Sequence, residues 1–143
     1  MNVEAILRNK GRNVITVAPD TTVTAAVALL RRHGIGALVV SRDGRAVDGI
    51  LSERDIVHAL AEHAGAALDF EVARLMSRRV ITGRPEDSIA EMMARMTERR
   101  IRHIPVVEGS ALAGIVSIGD VVKSRLDEVE SEASSMREFI AGA

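Results

Sequence analysis

Two short segments carry residue types whose spacing could do chemistry. Gly49-Ile50-Leu51-Ser52-Glu53-Arg54-Asp55 and Gly114-Ile115-Val116-Ser117-Ile118-Gly119-Asp120 both read Gly-apolar-apolar-Ser-x-x-Asp. In each, an apolar run predicts a strand that feeds a helix, with the Ser at the junction. The Ser hydroxyl and nearby backbone N–H groups then face outward at a positive helix end, which suits a phosphate. The Asp follows three residues later, so it returns to the same face and can accept both hydroxyls of a ribose diol. Ser-x-x-Asp is also the spacing of an ordinary capping box, with the Ser capping the helix and the acid favoured by its dipole. Both readings stand, because a duplication copies a cap as readily as a site.

The elements that must position these segments repeat as well. Val14-Ile15-Thr16-Val17-Ala18-Pro19-Asp20 matches Val80-Ile81-Thr82-Gly83-Arg84-Pro85-Glu86. At the same offset Val23 meets Ile89, Ala26 meets Met92, Ile35 meets Ile101 and Val40 meets Val106. Each copy predicts a short strand (Val14–Val17; Val80–Thr82) and then capping residues (Thr21-Thr22; Asp87-Ser88). A helix follows, with an apolar stripe of Val23, Ala26, Val27 and Leu30, or of Ile89, Met92, Met93 and Met96. Gly34 fits the C′ stop of the first helix. A hairpin comes next, Ala37–Ser41 with Val47–Leu51 and His103–Val107 with Leu112–Val116, and a last helix starts near Glu53 or Ile118. The unit is β-α-β-β-α, which makes the chain an α+β protein. Backbone at Gly36-Ala37 or Arg102-His103 is placed to meet the edge of a base. Val3–Arg8 predicts a short helix, Ala59–Leu75 an Ala-rich connection broken near Gly65, and Glu128–Ile140 a charged helical tail in which Met136, Phe139 and Ile140 could meet a partner chain.

Composition narrows the function. The chain has 143 residues, 47% of them apolar, with no Cys, Trp or Tyr and two Phe. No disulfide framework, thiol nucleophile or Cys-ligated zinc is possible. No aromatic platform exists on which bases could stack. Nineteen Lys+Arg against twenty Asp+Glu give a net charge of −1, so no basic field draws in nucleic acid. Arg99-Arg100-Ile101-Arg102 is a basic cluster, but it is short and runs into core strand residues. No apolar run approaches the roughly 18 residues of a membrane span. Met1-Asn2-Val3-Glu4 lacks a basic-then-apolar leader, and the expected location is the cytoplasm. His58 and His63 are five apart, a poor fit to helical metal ligands, and neither a Gly-x-Ser-x-Gly elbow nor a glycine-rich phosphate loop is present. No catalytic residues and no metal are expected, and the chain does not read as an enzyme.

These motifs, taken in order, resemble a tandem pair of CBS domains (cystathionine-β-synthase domains) of the small stand-alone bacterial type. The resemblance runs from about Lys10 to Leu126. It rests on Val-Ile-Thr-Val-Ala-Pro-Asp-Thr-Thr-Val, Ile-Gly-Ala-Leu-Val-Val, Gly-Ile-Leu-Ser-Glu-Arg-Asp, Arg-Ile-Arg-His-Ile-Pro-Val-Val and Gly-Ile-Val-Ser-Ile-Gly-Asp. It implies two repeats packed as a pseudo-twofold pair, a Bateman module, with residues 1–66 as the first repeat and its N-terminal segment, 67–127 as the second, and 128–143 as the tail. It implies two clefts that bind adenosine-containing ligands: AMP, ADP, ATP, NAD or S-adenosylmethionine. In one cleft Asp120 would hold the ribose and Ser117 a phosphate, with Val14, Ile35, Gly36, Ala37 and Ile115 around the base and Arg102 and His103 near the phosphates. In the other, Asp55 and Ser52 would serve, with Ile50, Val80, Ile101, Arg102 and His103 around the base and Arg54 reaching an anionic group. The Asp120 cleft is the first choice, since small Gly36-Ala37 leave room for an adenine. The expected function is a regulatory sensor whose ligand alters docking on a partner or in a homodimer. The alternative is a structural dimerisation or docking domain with empty clefts.

Overall fold

The computed structural model describes residues 1–142. Residue 143, the end of the tail expected over 128–143, lies outside them. Helix α1 (Val3–Lys10) leads into β1 (Thr16–Val17), α2 (Val23–His33), β2 (Ala37–Val40), β3 (Gly49–Ser52) and α3 (Glu53–His63). A 3-10 stretch (Ala64–Asp69) and α4 (Val72–Leu75) connect to α5 (Ile89–Arg99), β4 (His103–Glu108), β5 (Ala111–Ser117) and α6 (Ile118–Gly142). The first sheet has the order β1-β2-β3, with β1 parallel to β2 and β2 antiparallel to β3. The second is the β4-β5 hairpin alone.

The second sheet lacks the expected strand at Val80–Thr82. Only Gly83 pairs, through a parallel bridge to Val106 with bonds of 2.9 Å to Pro105 and from Val107. Gly83 stands where the first copy has Val17. Its bare backbone admits the Met92 side chain, whose sulfur would lie 2.9 Å from any Cβ there. A glycine at that point weakens a strand, and the Thr82 carbonyl turns to the Arg95 guanidinium at 3.3 Å. In the helices, Val23, Ala26, Leu30, Ile89, Met92 and Met96 are buried as the stripe requires, but Val27 and Met93 face outward. Gly34 ends α2 in the left-handed region (φ 61°), whereas α5 ends there on Arg100 (φ 54°).

Two cores form, and the lead-in helices exchange between them. Val3, Ile6 and Leu7 of α1 pack with Ile89, Met92, Ile104 and Val116 of the second repeat. Val72 and Met76 pack with Val23, Leu38 and Leu51 of the first. The exchange is symmetric in its hydrogen bonds. Val3 N–H donates to the Asp87 carbonyl and Glu4 N–H to Pro85; Val72 N–H donates to Thr21 and Ala73 N–H to Pro19. The covalent boundary between repeats therefore differs from the packing boundary. This packing also explains the motif glycines. A Cβ on Gly114 would lie 2.6 Å from Leu7 Cδ2, and one on Gly49 would lie 2.5 Å from the Met76 sulfur. Each glycine makes room for the exchanged helix of the other repeat.

Gly114→Ala is therefore expected to destabilise the protein by about 1–3 kcal/mol through overpacking against buried Leu7. Leu7→Ala alone removes core volume and should cost about 2–5 kcal/mol. In the double variant the two losses should sum to less than additive, since the alanine at 114 fills part of the Leu7 cavity. Urea unfolding of the four proteins of this cycle checks it, and strict additivity would show that the two residues are not in contact.

Candidate functional site

Both Ser-x-x-Asp segments form the capping arrangement that their spacing allows. Ser52 is the N-cap of α3: its hydroxyl accepts from Asp55 N–H at 3.4 Å, while Asp55 Oδ2 accepts the Ser52 N–H at 2.9 Å and its O–H at 3.1 Å. At α6, Asp120 N–H donates to the Ser117 hydroxyl at 3.2 Å and Asp120 Oδ2 accepts the Ser117 N–H at 2.9 Å. The cap occupies one carboxylate oxygen in each case. In both residues the other oxygen, Oδ1, has no hydrogen bond among the described residues. Capping and ligand binding are thus compatible, since the cap fixes the rotamer and leaves an acceptor over.

The two carboxylates differ in what surrounds them. Asp120 Oδ2 also accepts from the Lys10 ammonium at 2.7 Å, and the same nitrogen donates to the Ile115 carbonyl at 3.1 Å. Burial pushes the Asp120 carboxyl up, but the Lys10 and Ser117 hydrogen bonds and the Lys10 charge outweigh it and hold the group below the usual range. Lys10 thus shares Oδ2 with the cap and places a cation beside the carboxylate. Beside Asp55, by contrast, a cavity of about 750 Å³ opens between the repeats.

That cavity gathers ten of the sequence-derived residues: Gly36, Ala37, Ile50, Ser52, Arg54, Asp55, Val80, Ile101, Arg102 and His103. Val14, Ile35, Ile115, Ser117 and Asp120 are not among its walls. Ile50 on β3 of the first repeat and Ile101 just before β4 of the second offer apolar surface with Val80 and Ile81. Charge on the rim is uneven. Arg54, Arg79, Arg99, Arg100 and Arg102 stand against Glu53 and Asp55, which makes the cavity electropositive although the whole chain is not. Arg54 Nη1 also donates to the Arg100 carbonyl at 3.2 Å, bracing the one residue of this wall held at positive φ.

Gly36 plays a different part from the one expected of it. A Cβ there would lie 3.0 Å from Cε1 and 3.3 Å from Nε2 of His103. The His103 imidazole thus lies directly beside Gly36, and both line the cavity. Burial pushes the His103 pKa down; Glu53 and Asp120 pull it up, and Lys10 and Arg102 push it down further. The net shift is downward from an ordinary value near 6.5, so the ring is mainly neutral at pH 7.

Sequence reasoning missed Lys10 as a site residue, along with Arg79, Arg99 and Arg100. Arg99 and Arg100 were visible in a basic run, and their neighbour Ile101 marked them as flanking a strand; Arg79 lies in the connection between the repeats. Lys10 carried no local signal, because its partner Asp120 is 110 residues away. Among the described residues no group of three or more His, Cys, Asp or Glu could hold a metal ion, and no helix is long and apolar enough to cross a membrane.

Comparison with known proteins places this arrangement. The CBS-domain family model matches residues 4–62 and 72–127. The chain is 32% identical over 148 residues to the mitochondrial CBS domain-containing protein CBSX3 of Arabidopsis thaliana, covering 98% of this chain and 72% of that one. The crystal structure of the CBS-domain containing protein ATU1752 from Agrobacterium tumefaciens superposes with a TM-score of 0.83 at 44% identity, over 87% of this chain and 92% of that one. The CBS domain pair of MJ0100, solved in complex with 5′-methylthioadenosine and S-adenosyl-L-methionine, superposes with a TM-score of 0.77 at 26% identity, over 91% and 98%. No catalytic family is indicated by these relatives. With two matched family segments, the exchanged lead-in helices and an inter-repeat cleft, the chain belongs to the CBS-domain family as a tandem pair of α+β repeats.

Proposed function

We propose that the protein is a regulatory module that binds one adenine nucleotide per chain in the Asp55 cleft. The observation that carries this reading is the contrast between the two carboxylates. Both keep Oδ1 free, but only Asp55 borders a cavity large enough for a nucleotide, since ligand sites commonly occupy about 300–1,000 Å³. Asp120 is already engaged by Lys10. The first choice of cleft made from the sequence thus gives way to the second.

In this reading Asp55 Oδ1 accepts the ribose hydroxyls. Ile50, Val80 and Ile101 enclose the base between aliphatic surfaces, with backbone groups reading its edge. Arg54 and the Arg99–Arg102 run meet the phosphates, where charge-assisted hydrogen bonds are about twice as strong as neutral ones. Charge also chooses among adenosine ligands. MJ0100 was solved with a sulfonium and a neutral thioether, whereas five arginines against two carboxylates favour a polyanion such as ADP or ATP, or the diphosphate bridge of NAD. AMP fits with fewer charges answered. Regulation follows if the ligand binds one arrangement of the repeats, or of the homodimer, better than another.

A thermal-shift series with AMP, ADP, ATP, NAD and S-adenosylmethionine tests this. A ligand at about 100 times its Kd stabilises the native state by about 2.7 kcal/mol, which is about 5–10 °C for a chain of this size. ADP or ATP should give the larger shift, Asp55→Ala should abolish it, and Asp120→Ala should retain it. Loss in Asp120→Ala with retention in Asp55→Ala reverses the choice of cleft. No shift with any of the five leaves the docking-domain reading.

The Lys10–Asp120 pair makes a separate acid-range prediction. Asp120 has a lowered pKa in the folded state, so its contribution to stability is present above the unfolded carboxylate value and is lost as pH falls through the folded one. Lys10→Met should cost below about 1 kcal/mol at neutral pH, because the pair is partly exposed. The difference between variant and parent should begin to shrink near pH 4, the ordinary carboxylate value, and vanish only below the lowered folded value of Asp120. In a carbon-detected NMR titration the Asp120 carboxyl should move up in Lys10→Met, and an unmoved titration curve would place the ammonium elsewhere.

A further inference from the structure

Helix α6 is 25 residues, about 37 Å long, and the protein body covers only its beginning. Val121 and Ser124 are buried and Glu128 is half-buried; from Val129 to Gly142 every residue is exposed. Isolated helices of that length are marginal in water, so this segment needs a surface to pack on. Its apolar residues recur as Val122, Leu126, Val129, Ala133, Met136 and Ile140, alternately four and three apart. That is the a/d seam of a coiled coil, with Leu126, Ala133 and Ile140 at a and Val122, Val129 and Met136 at d. The seam is open: Val122 is 43%, Leu126 63%, Val129 44%, Met136 60% and Ile140 67% exposed.

We propose that α6 pairs along this seam with α6 of a second copy of the chain, parallel and in register. The flanking charges select that occupant. Arg125 and Glu132 fall at g, and Glu130 and Arg137 at e. In a parallel pair each g residue faces the e residue five positions on in the other helix. Arg125 then meets Glu130 of the second copy, and Glu132 meets Arg137 of the second copy. Both pairs are opposite in sign, and both form twice by symmetry. Phe139, 76% exposed, falls at g beside the Ile140 layer and widens the apolar end of the seam. This pairing does not depend on any ligand in the Asp55 cleft.

The chain has no cysteine, so one introduced thiol reports the geometry of the full-length protein. Ala133→Cys puts it at a central a position. Facing a residues of a parallel, in-register pair lie within the roughly 7 Å between Cα atoms that a disulfide tolerates. Ser131→Cys puts it at f, on the far side of the helix. After mild oxidation, Ala133→Cys should run mostly as a disulfide-linked dimer and Ser131→Cys mostly as monomer. Adding Met136→Glu to Ala133→Cys should remove the cross-link, while circular dichroism shows the body still folded. No cross-link in Ala133→Cys, equal cross-linking in the two single variants, or a cross-link that survives Met136→Glu would each overturn the seam.

Discussion

The structure depends on a reciprocal exchange of two short helices. Leu7 of α1 fills the space over Gly114, and Met76, just after α4, fills the space over Gly49. Neither repeat closes its own core. The second needs Val3, Ile6 and Leu7 from the N-terminal segment, and the first needs Val72 and Met76 from the connection. A two-strand or three-strand sheet with one helix layer buries little surface alone, and small units are marginal for that reason. The exchange joins the two deficits into one body. It also sets what each repeated carboxylate meets: the chain after Met76 gives Ser77, Arg79, Val80 and Ile81 to the cavity wall, and Lys10 at the end of α1 reaches Asp120.

From that constraint the inequality of the two clefts follows. The repeats are alike in backbone, but the segments that leave the exchanged helices are not alike in sequence. After Met76 the chain runs Ser77-Arg78-Arg79-Val80, pairing with Ile50 through bonds of 2.9 and 3.0 Å and leaving Arg79 on the cavity rim. After Leu7 it runs Arg8-Asn9-Lys10-Gly11, and the Lys10 side chain reaches the Ile115 carbonyl and Asp120. One position along an exchanged helix thus decides whether a repeated carboxylate meets a cavity or a cation. Duplication supplies the same Ser-x-x-Asp twice, and divergence in the lead-in segments makes the two copies different sites.

The order of elements was legible in the sequence because it rests on local signals. The caps at Thr22, Ser52 and Ser88, the left-handed Gly34 and the period of the buried stripes all act within a few residues, and α2, α3, α5 and the two hairpins follow from them. The strand at Val80–Thr82 was misread because its apolar pattern is genuine, while the bonding is undone by Gly83 and by the Arg95 guanidinium. The contents of the cleft were legible for the same reason as the repeat, since both copies carry the same motif. The difference between the two carboxylates was not: it rests on Lys10 meeting Asp120, a contact between residues far apart in the chain that leaves no periodicity behind. Gly49 and Gly114 are a case where the signal is local and its partner is not. A glycine at a strand signals close approach of something, and what approaches is a core side chain of the other repeat.

Helix α6 ties these parts together. Its first residue, Ile118, is a wall of the Asp55 cavity. Its next turn carries Asp120 and the buried Val121, and its far half carries the open apolar seam. The Ile118 N–H is held by the Arg102 carbonyl at 2.8 Å, on the strand entry that also presents His103 to Gly36. A ligand bound as proposed would therefore act at the start of α6. The size of any such effect is bounded by the ligand's differential affinity for the two orientations, since equal affinity shifts nothing. One continuous element thus carries a cavity wall, the Asp120 cap and an open apolar seam, which is the route by which the proposed sensor would turn occupancy into a change of docking.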